Sequence, residues 1–315
     1  MSLEMPKQSY TGKIREVQIG SADKGGFKVG AAGVLPYLAF EGEVGHAPRV
    51  AMEVNDIAPA EWAAPLREAL GKVVEDPVAW AKFCVEQCKV DLVHLELVGT
   101  DPNGENKSAE HAAKVAKAVV DAVNVPVAVW GCGNDAKDAE TLRAVAEACQ
   151  GKRLLLGPVV EGNHKQLGAA IIGYGHAAIA STPIDVNLQK QLNILLTNLG
   201  VAAENIIVDP TVGGVGYGLE YTYSVMERGR LAALTADDDK LQFPAYCNVG
   251  REAWKVKEAK LAEADEPKLG NHARRGILLE SVTAASLLLA GADILVLRHP
   301  ESVKLARWFA GELKA

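Results

Sequence analysis

From Pro48 onward the chain alternates short apolar runs with longer amphipathic ones. RVAMEVND (Arg49 to Asp56) reads as a strand and, after a connection containing Trp62 to Val74, Pro77 to Lys89 reads as a helix. The same beat repeats with DLVHLELVG (Asp91 to Gly99) and a helix over Ser108 to Val123, whose first serine suits an N-cap. PVAVWGCG (Pro126 to Gly133) pairs with Ala136 to Cys149, RLLLG (Arg153 to Gly157) with Asn163 to Tyr174, and AAIAST (Ala177 to Thr182) with Ile184 to Leu199. Ile206 to Val208 precedes a helix over Leu219 to Leu234. PAYCNVG (Pro244 to Gly250) precedes Ala273 to Gly291, and ADILVLRHP (Ala292 to Pro300) precedes Glu301 to Leu313. Short, nearly continuous apolar strands separated by helices are the pattern of a parallel sheet covered on both faces. Eight such pairs predict an α/β fold in which the sheet closes on itself, a (β/α)8 TIM barrel over residues 49–315. An open doubly wound sheet is the alternative, but it needs fewer strands and a separable second domain, and no linker divides the chain.

Residues 1–48 lack this beat. REVQIG and FKVGAAG flank the turn SADKGG, a hairpin signal, so the segment is expected to form an N-terminal β-ribbon packed on the barrel.

In such a barrel the chemistry sits at the strand C-termini. The tips read Asn55 and Asp56, Glu96 and Asp101, Gly131 to Asn134, Gly157 and Pro158, Ser181 and Thr182, Asp209 to Gly214, Asn248 to Gly250, and Arg298 with His299. They are small and polar, with few groups that titrate near neutrality. After the sixth strand come Gly213, Gly214, Gly216 and Gly218. Glycines at that density either let backbone N–H groups approach a ligand ahead of a helix N-terminus or turn a tight corner. Of the seven histidines only His299 falls at a strand tip, and His94, inside a strand, reads as a packed core residue. No GxSxG elbow, HExxH helix or phosphate-binding Walker loop occurs. The pattern favours a surface that holds a large ligand over a catalytic triad. The connection Arg251 to Asn271 is long for a barrel and reads as a charged helix plus loop that covers a site or meets another protein. Asp237 to Asp239 reads as a solvated turn on the opposite face.

Composition narrows the classes. Net charge is −7, from 33 Lys and Arg against 40 Asp and Glu, without a basic block, so no nucleic-acid partner is expected. No charge-free apolar run reaches the roughly 18 residues a membrane span needs, and MSLEMPKQSY lacks the apolar core of a signal peptide, so a cytoplasmic protein is expected. The five cysteines are scattered and odd in number, as for reduced, buried thiols. Cys84 and Cys88 share a helix face, but an iron–sulfur cluster needs about four thiolates, and no CxxC is present.

Seven stretches carry a resemblance: FEGE (Phe40 to Glu43), MEVND (Met52 to Asp56), VWGCGN (Val129 to Asn134), LLLG (Leu154 to Gly157), QKQLNILL (Gln189 to Leu196), VDPTVGGVGYGLEYTYSVMERGRL (Val208 to Leu231) and RRGILLESVTAASLLLAGADILVLRHPE (Arg274 to Glu301). Together, from about Arg15 to the C-terminus, the chain resembles the small subunit of the corrinoid iron–sulfur protein, the family also called the delta subunit of the acetyl-CoA decarbonylase/synthase complex. The resemblance implies a heterodimer with a large corrinoid subunit that carries a [4Fe–4S] cluster. It also implies a cobamide shared between the two subunits and held over the barrel mouth. A methyl group would come from methyltetrahydrofolate through a separate methyltransferase and go to acetyl-CoA synthase/CO dehydrogenase, in the reductive acetyl-CoA pathway of anaerobes. Under it the chain is a subunit without independent activity, since cobalt does the chemistry and protein supplies position and shielding. Asn55, Asp56, Gly131, Asn134, Asp209, Thr211, Gly213, Gly214, Asn248 and Gly250 are the candidates for cobamide binding, assigned by their place at the mouth. No catalytic residue and no metal ligand is assigned. The alternative is a stand-alone pterin-binding methyltransferase, in which Asp209 or Asn134 would hold the pterin ring.

Overall fold

The computed structural model describes residues 5–312. Eight parallel strands close into a barrel in the order β10-β3-β4-β5-β6-β7-β8-β9, confirming the TIM barrel. They are β3 (Arg49–Asn55), β4 (Leu92–Glu96), β5 (Val127–Trp130), β6 (Leu155–Val159), β7 (Ala177–Ser181), β8 (Ile206–Asp209), β9 (Ala245–Asn248) and β10 (Ala292–Leu297). The helices are α1 (Ala64–Leu70), α2 (Pro77–Glu86), α3 (Ala109–Ala122), α4 (Asp135–Ala148), α5 (His164–Tyr174), α6 (Val186–Leu199), α7 (Leu219–Thr235), α8 (Val249–Ala253), α9 (Lys257–Lys260), α10 (His272–Leu289) and α11 (Pro300–Glu312).

The last helix, Pro300–Glu312, reaches the end of the described residues, and its expected terminus at Leu313 lies outside them. Several strand boundaries differ from the apolar pattern; β4 stops at Glu96 and β5 at Trp130, short of the expected Gly99 and Gly133. RLLLG was expected to pair from Arg153, but that residue has φ +49 and turns outward to donate to Gln18 O and Asn205 Oδ1, so β6 starts at Leu155. PAYCNVG stops as a strand at Asn248 because Val249 begins α8. The charged helix expected in the connection Arg251 to Asn271 is instead two short helices and a 3-10 turn at Pro267–Leu269, whereas the helix expected from Ala273 forms as one piece. Asp237 to Asp239 does more than turn in solvent: Asp238 pairs with Lys190 at 2.5 Å, and Arg15 donates to the Asp239 carbonyl.

The ribbon, β1 (Glu16–Ile19) against β2 (Phe27–Gly30), is antiparallel as expected. Its turn falls within SADKGG, as a 3-10 turn over Ala22–Lys24 closed by Gly25 at φ +64. Val17, Ile19 and Val29 pack with Ala51, Leu92 and Ile207 inside the N-terminal end of the barrel. Lys24 locks the ribbon by donating to the carbonyls of Val120 and Val123. The ribbon is therefore a plug at the end opposite the strand tips.

Strand side chains alternate in direction. Val50, Met52 and Val54 join the core between strands and helices, whereas Ala51 joins the barrel interior. Two residues further along β3 the same inward face carries Glu53 and then Asn55, so the interior changes from apolar to charged toward the mouth.

Candidate functional site at the barrel mouth

The throat of the barrel is filled by ion pairs. Arg298, just past β10, donates from Nε and Nη2 to the two carboxylate oxygens of Glu53 at 2.8 and 2.7 Å. Its guanidinium lies 4.5 Å from the Trp62 ring centre, so an indole covers it from the solvent side. Glu96, at the tip of β4, is 3.0 Å from Arg251 of α8 and 4.0 Å from Arg298. The two carboxylates share Arg298. Burial raises Glu53 to about 7 against that pull, whereas for Glu96 burial is outweighed by Arg251 and Arg298, which hold it below the usual range. Beneath them His94 Nδ1 and the Tyr246 hydroxyl are 2.5 Å apart, and burial lowers His94 to about 4, so the ring is neutral at pH 7.

Asp209 occupies the β8 tip, 3% exposed. It accepts from the Ser181 hydroxyl at 2.7 Å and from Thr211 N at 3.0 Å. Burial, only partly offset by those bonds, raises it to about 6. Thr211 holds φ +60 and donates its hydroxyl to Thr182 O at 2.6 Å, while Thr222 of α7 donates to Thr211 O. The entrance of the glycine loop is thus pinned to its neighbours.

Several buried polar atoms at the mouth have no protein partner, among them Asn55 Oδ1, Asn248 Oδ1, Trp130 Nε1 and Thr182 Oγ1. Each such atom costs about 1–3 kcal/mol if nothing meets it. The mouth is built to be met by water or ligand groups.

The ten candidates from the sequence separate by what the structure does with them. Asn55, Asp209 and Asn248 line the throat, buried. Asp56 braces a loop instead: its carboxylate accepts from Gly99 N at 2.8 Å and sits 3.5 Å from His111. Asn134 caps α4 by accepting from Lys137 N. Gly131 is glycine because a Cβ there would lie 2.2 Å from the Asp138 carboxylate, which itself accepts from Cys132 N and Gly133 N. A Cβ on Gly214 would lie 2.6 Å from Gly218 O, and one on Gly250 2.7 Å from Arg298 N. These three are required by close packing. Gly213 differs: it is exposed, and the nearest atom to an added Cβ is 3.4 Å away.

Gly213 opens onto a groove of about 970 Å³ between the glycine loop and the segment from Glu252 to Asp265. Tyr217, 93% exposed, stands at its edge, with Lys255 and Lys257 along the other wall. The long connection after β9 covers one side of the mouth, as its length suggested, and sends Arg251 inward.

The throat holds more titrating groups than the strand tips alone suggested. Glu53 was missed because it lies within an apolar strand, yet it is two residues before Asn55 and shares its face. An acid at that spacing inside a barrel needs a buried partner, and Arg298 was the available cation. Among the described residues no group of three or more His, Cys, Asp or Glu is placed to hold a metal ion, and no helix is long and apolar enough to cross a membrane.

The barrel is similar in fold to those of dihydropteroate synthases. The enzyme from Xanthomonas albilineans, solved with 4-aminobenzoic acid, superposes with a TM-score of 0.57 over 84% of this chain and 93% of its own, at 13% identity. That from Yersinia pestis, solved with a pterine-sulfa conjugate, gives 0.55 over 85% and 95%, also at 13%. At that identity the likeness concerns the fold. Sequence relatives are nearer. The acetyl-CoA decarbonylase/synthase complex subunit delta of Methanopyrus kandleri is 38% identical over 299 residues, covering 93% of this chain and 74% of the relative. Subunit delta 1 of Methanosarcina thermophila is 36% identical over 311 residues, covering 95% and 70%. Residues 16–307 match the family described as CO dehydrogenase/acetyl-CoA synthase delta subunit, and the chain belongs to that family.

Proposed function

We propose that the chain is the barrel subunit of a corrinoid methyl carrier, pairing with a large [4Fe–4S]-bearing subunit and covering one face of the cobamide that subunit holds. Membership of the delta family gives the coarse role, a component of the acetyl-CoA decarbonylase/synthase complex. The observation that carries the finer reading is the shape of the mouth. Its throat is closed by the Glu53–Arg298 and Glu96–Arg251 pairs under Trp62, so a macrocycle cannot enter, while Gly213 and Tyr217 border a wide open groove beside it. A broad, flat ligand fringed with amides would rest on that rim.

When bound, the cobamide supplies the cobalt that takes up and releases the methyl group. This chain's part is to position and to exclude water. Tyr217 and the glycine loop would shield the rim, while the Glu53–Arg298 and Glu96–Arg251 pairs close the throat beneath it. The methyl group is taken from methyltetrahydrofolate by a separate methyltransferase and passed to acetyl-CoA synthase.

A second reading, a stand-alone pterin-binding methyltransferase, is favoured by one feature, the raised carboxyl of Asp209 beside Ser181 in the throat. Titrating the isolated chain with methyltetrahydrofolate separates the two. Tight binding with methyl transfer to free cobalamin would replace the carrier reading by this one.

The direct test of the rim is Gly213→Val in the assembled heterodimer. The site has room for the side chain, so the fold is retained and corrinoid retention falls or methyl transfer slows. An intact dimer with unaltered retention and transfer would leave the chain as a scaffold that never meets the corrinoid. Gly214→Val, which meets Gly218 O, is the control for loop distortion.

A further inference from the structure

At the end of the barrel away from the mouth, residues 36–48 fold over the start of β10 and border a half-open cavity of about 480 Å³. Its walls are aromatic and apolar, with Tyr37, Phe40 and Val44 on one side and Leu288 and Ala292 on the other. At its base Arg230 of α7 and Asp293 of β10 face each other at 3.4 Å, both 8% exposed. Asp293 is fully engaged, because Gly30 N and Ala245 N also donate to it. Arg230 is not. Its Nη2 donates to Gly291 O at 2.7 Å, whereas Nε and Nη1 donate to no described residue and are not sealed from solvent.

The surroundings are arranged to keep that guanidinium in place. A Cβ on Gly291, which holds φ +98, would lie 2.4 Å from Arg230 Nε, so only glycine lets the guanidinium lie against the backbone. Tyr37 holds φ +62, a region side-chain-bearing residues seldom adopt and one that clusters at functional positions. Its hydroxyl has no hydrogen-bond partner among the described residues. Burial, and after it the charge of Asp293, raises the group to about 12, so it stays a donor at neutral pH.

A mostly apolar cavity of this size with a few convergent polar groups is the usual form of a small-molecule site. Of the polar side chains that line it, Asp293 is engaged and His46 is held by Glu16 at 2.7 Å, whereas Arg230 and Tyr37 can donate, so the ligand must bring an acceptor. Asp293 already offsets part of the arginine charge, which favours one carboxylate or carbonyl over a polyanion. We propose that this cavity binds a small aromatic or alicyclic molecule bearing a single carboxylate or carbonyl oxygen, held by Arg230 and Tyr37 between the wall of Phe40 and Val44 and that of Leu288. The site is independent of the mouth.

The probes are sodium benzoate, benzamide and benzylamine, three molecules of one shape with an anionic, a neutral and a cationic head. Their binding to the full chain is measured by calorimetry and saturation-transfer NMR. The expected result is submillimolar binding of benzoate, weaker binding of benzamide, and benzylamine weaker than benzoate by about tenfold or more, the scale of a charge-assisted hydrogen bond. Arg230→Lys should weaken benzoate similarly. Because Arg230 is buried and its variant can fail to fold, Phe40→Ala, at a half-exposed wall position, and Tyr37→Phe carry the decision. Weaker benzoate binding in both supports the site. Absence of submillimolar binding, equal binding of benzylamine, or unchanged affinity in both variants overturns it.

Discussion

Arg298 and Glu53 lie 245 residues apart in sequence, yet they form a two-point ion pair in the throat because β10 closes the barrel against β3. The pair spans the seam between the first and last barrel strands and sits under the Trp62 indole. Replacing Arg298 by methionine leaves Glu53 buried without its cation, which costs about 3–5 kcal/mol where a buried pair is broken. Adding Glu53→Leu removes the stranded charge and recovers most of the loss. Urea unfolding of the two variants checks this, and a loss below about 1 kcal/mol in Arg298→Met would mean the throat is hydrated enough to screen the pair.

Asp209 links stability to pH in a direction opposite to an ordinary surface acid. Its folded pKa of about 6 lies above its reference value of 3.8. The folded state therefore binds this proton more tightly, and the contribution is fully present below pH 4 and lost as pH rises through 6. Relative to wild type, Asp209→Asn should gain stability between pH 4 and pH 7, by something on the order of 2–3 kcal/mol. Thermal unfolding of both proteins across that range measures it. A pH-independent difference would place Asp209 in contact with more water than its burial implies.

Two glycines of the mouth make opposite predictions. Gly131→Ala drives a methyl group into the Asp138 carboxylate that holds the Cys132 and Gly133 amides, and overpacking of this kind costs about 1–3 kcal/mol. Gly213→Ala meets only Thr211 Cγ2 at ordinary contact distance and should leave the melting temperature unchanged. Differential scanning calorimetry of the pair distinguishes packing glycines from clearance glycines.

The barrel was legible because its strands are short apolar runs at regular spacing, and the ribbon because two alternating runs flank a glycine turn. Strand ends were less so, since Arg153 looks like the start of a strand until its left-handed backbone and its partners Gln18 and Asn205 are seen. At the mouth, position at a strand tip picked out Asn55, Asp209 and Asn248, which the structure buries in the throat. It could not separate Gly131, Gly214 and Gly250 from Gly213, because what a missing Cβ makes room for depends on neighbours distant in sequence, such as Arg298 beside Gly250. Glu53 was hidden for the same reason. Its partner stands at the other end of the chain, and only closure of the barrel brings the two together. The cavity beside Arg230 had no sequence signature beyond the unexplained FEGE stretch, since it is made by a loop folding over two distant elements.

The central claim, that this chain serves as one half of a corrinoid carrier, is tested most directly by tagging it in its native cells and purifying it without oxygen under reducing conditions. The account predicts that a larger subunit comes with it in equal amount, bringing cobalt as a corrinoid and iron as a cluster, while the separated small chain contains neither. Recovery of the chain without any cobalt-bearing partner, or stoichiometric iron in the chain itself, would contradict it.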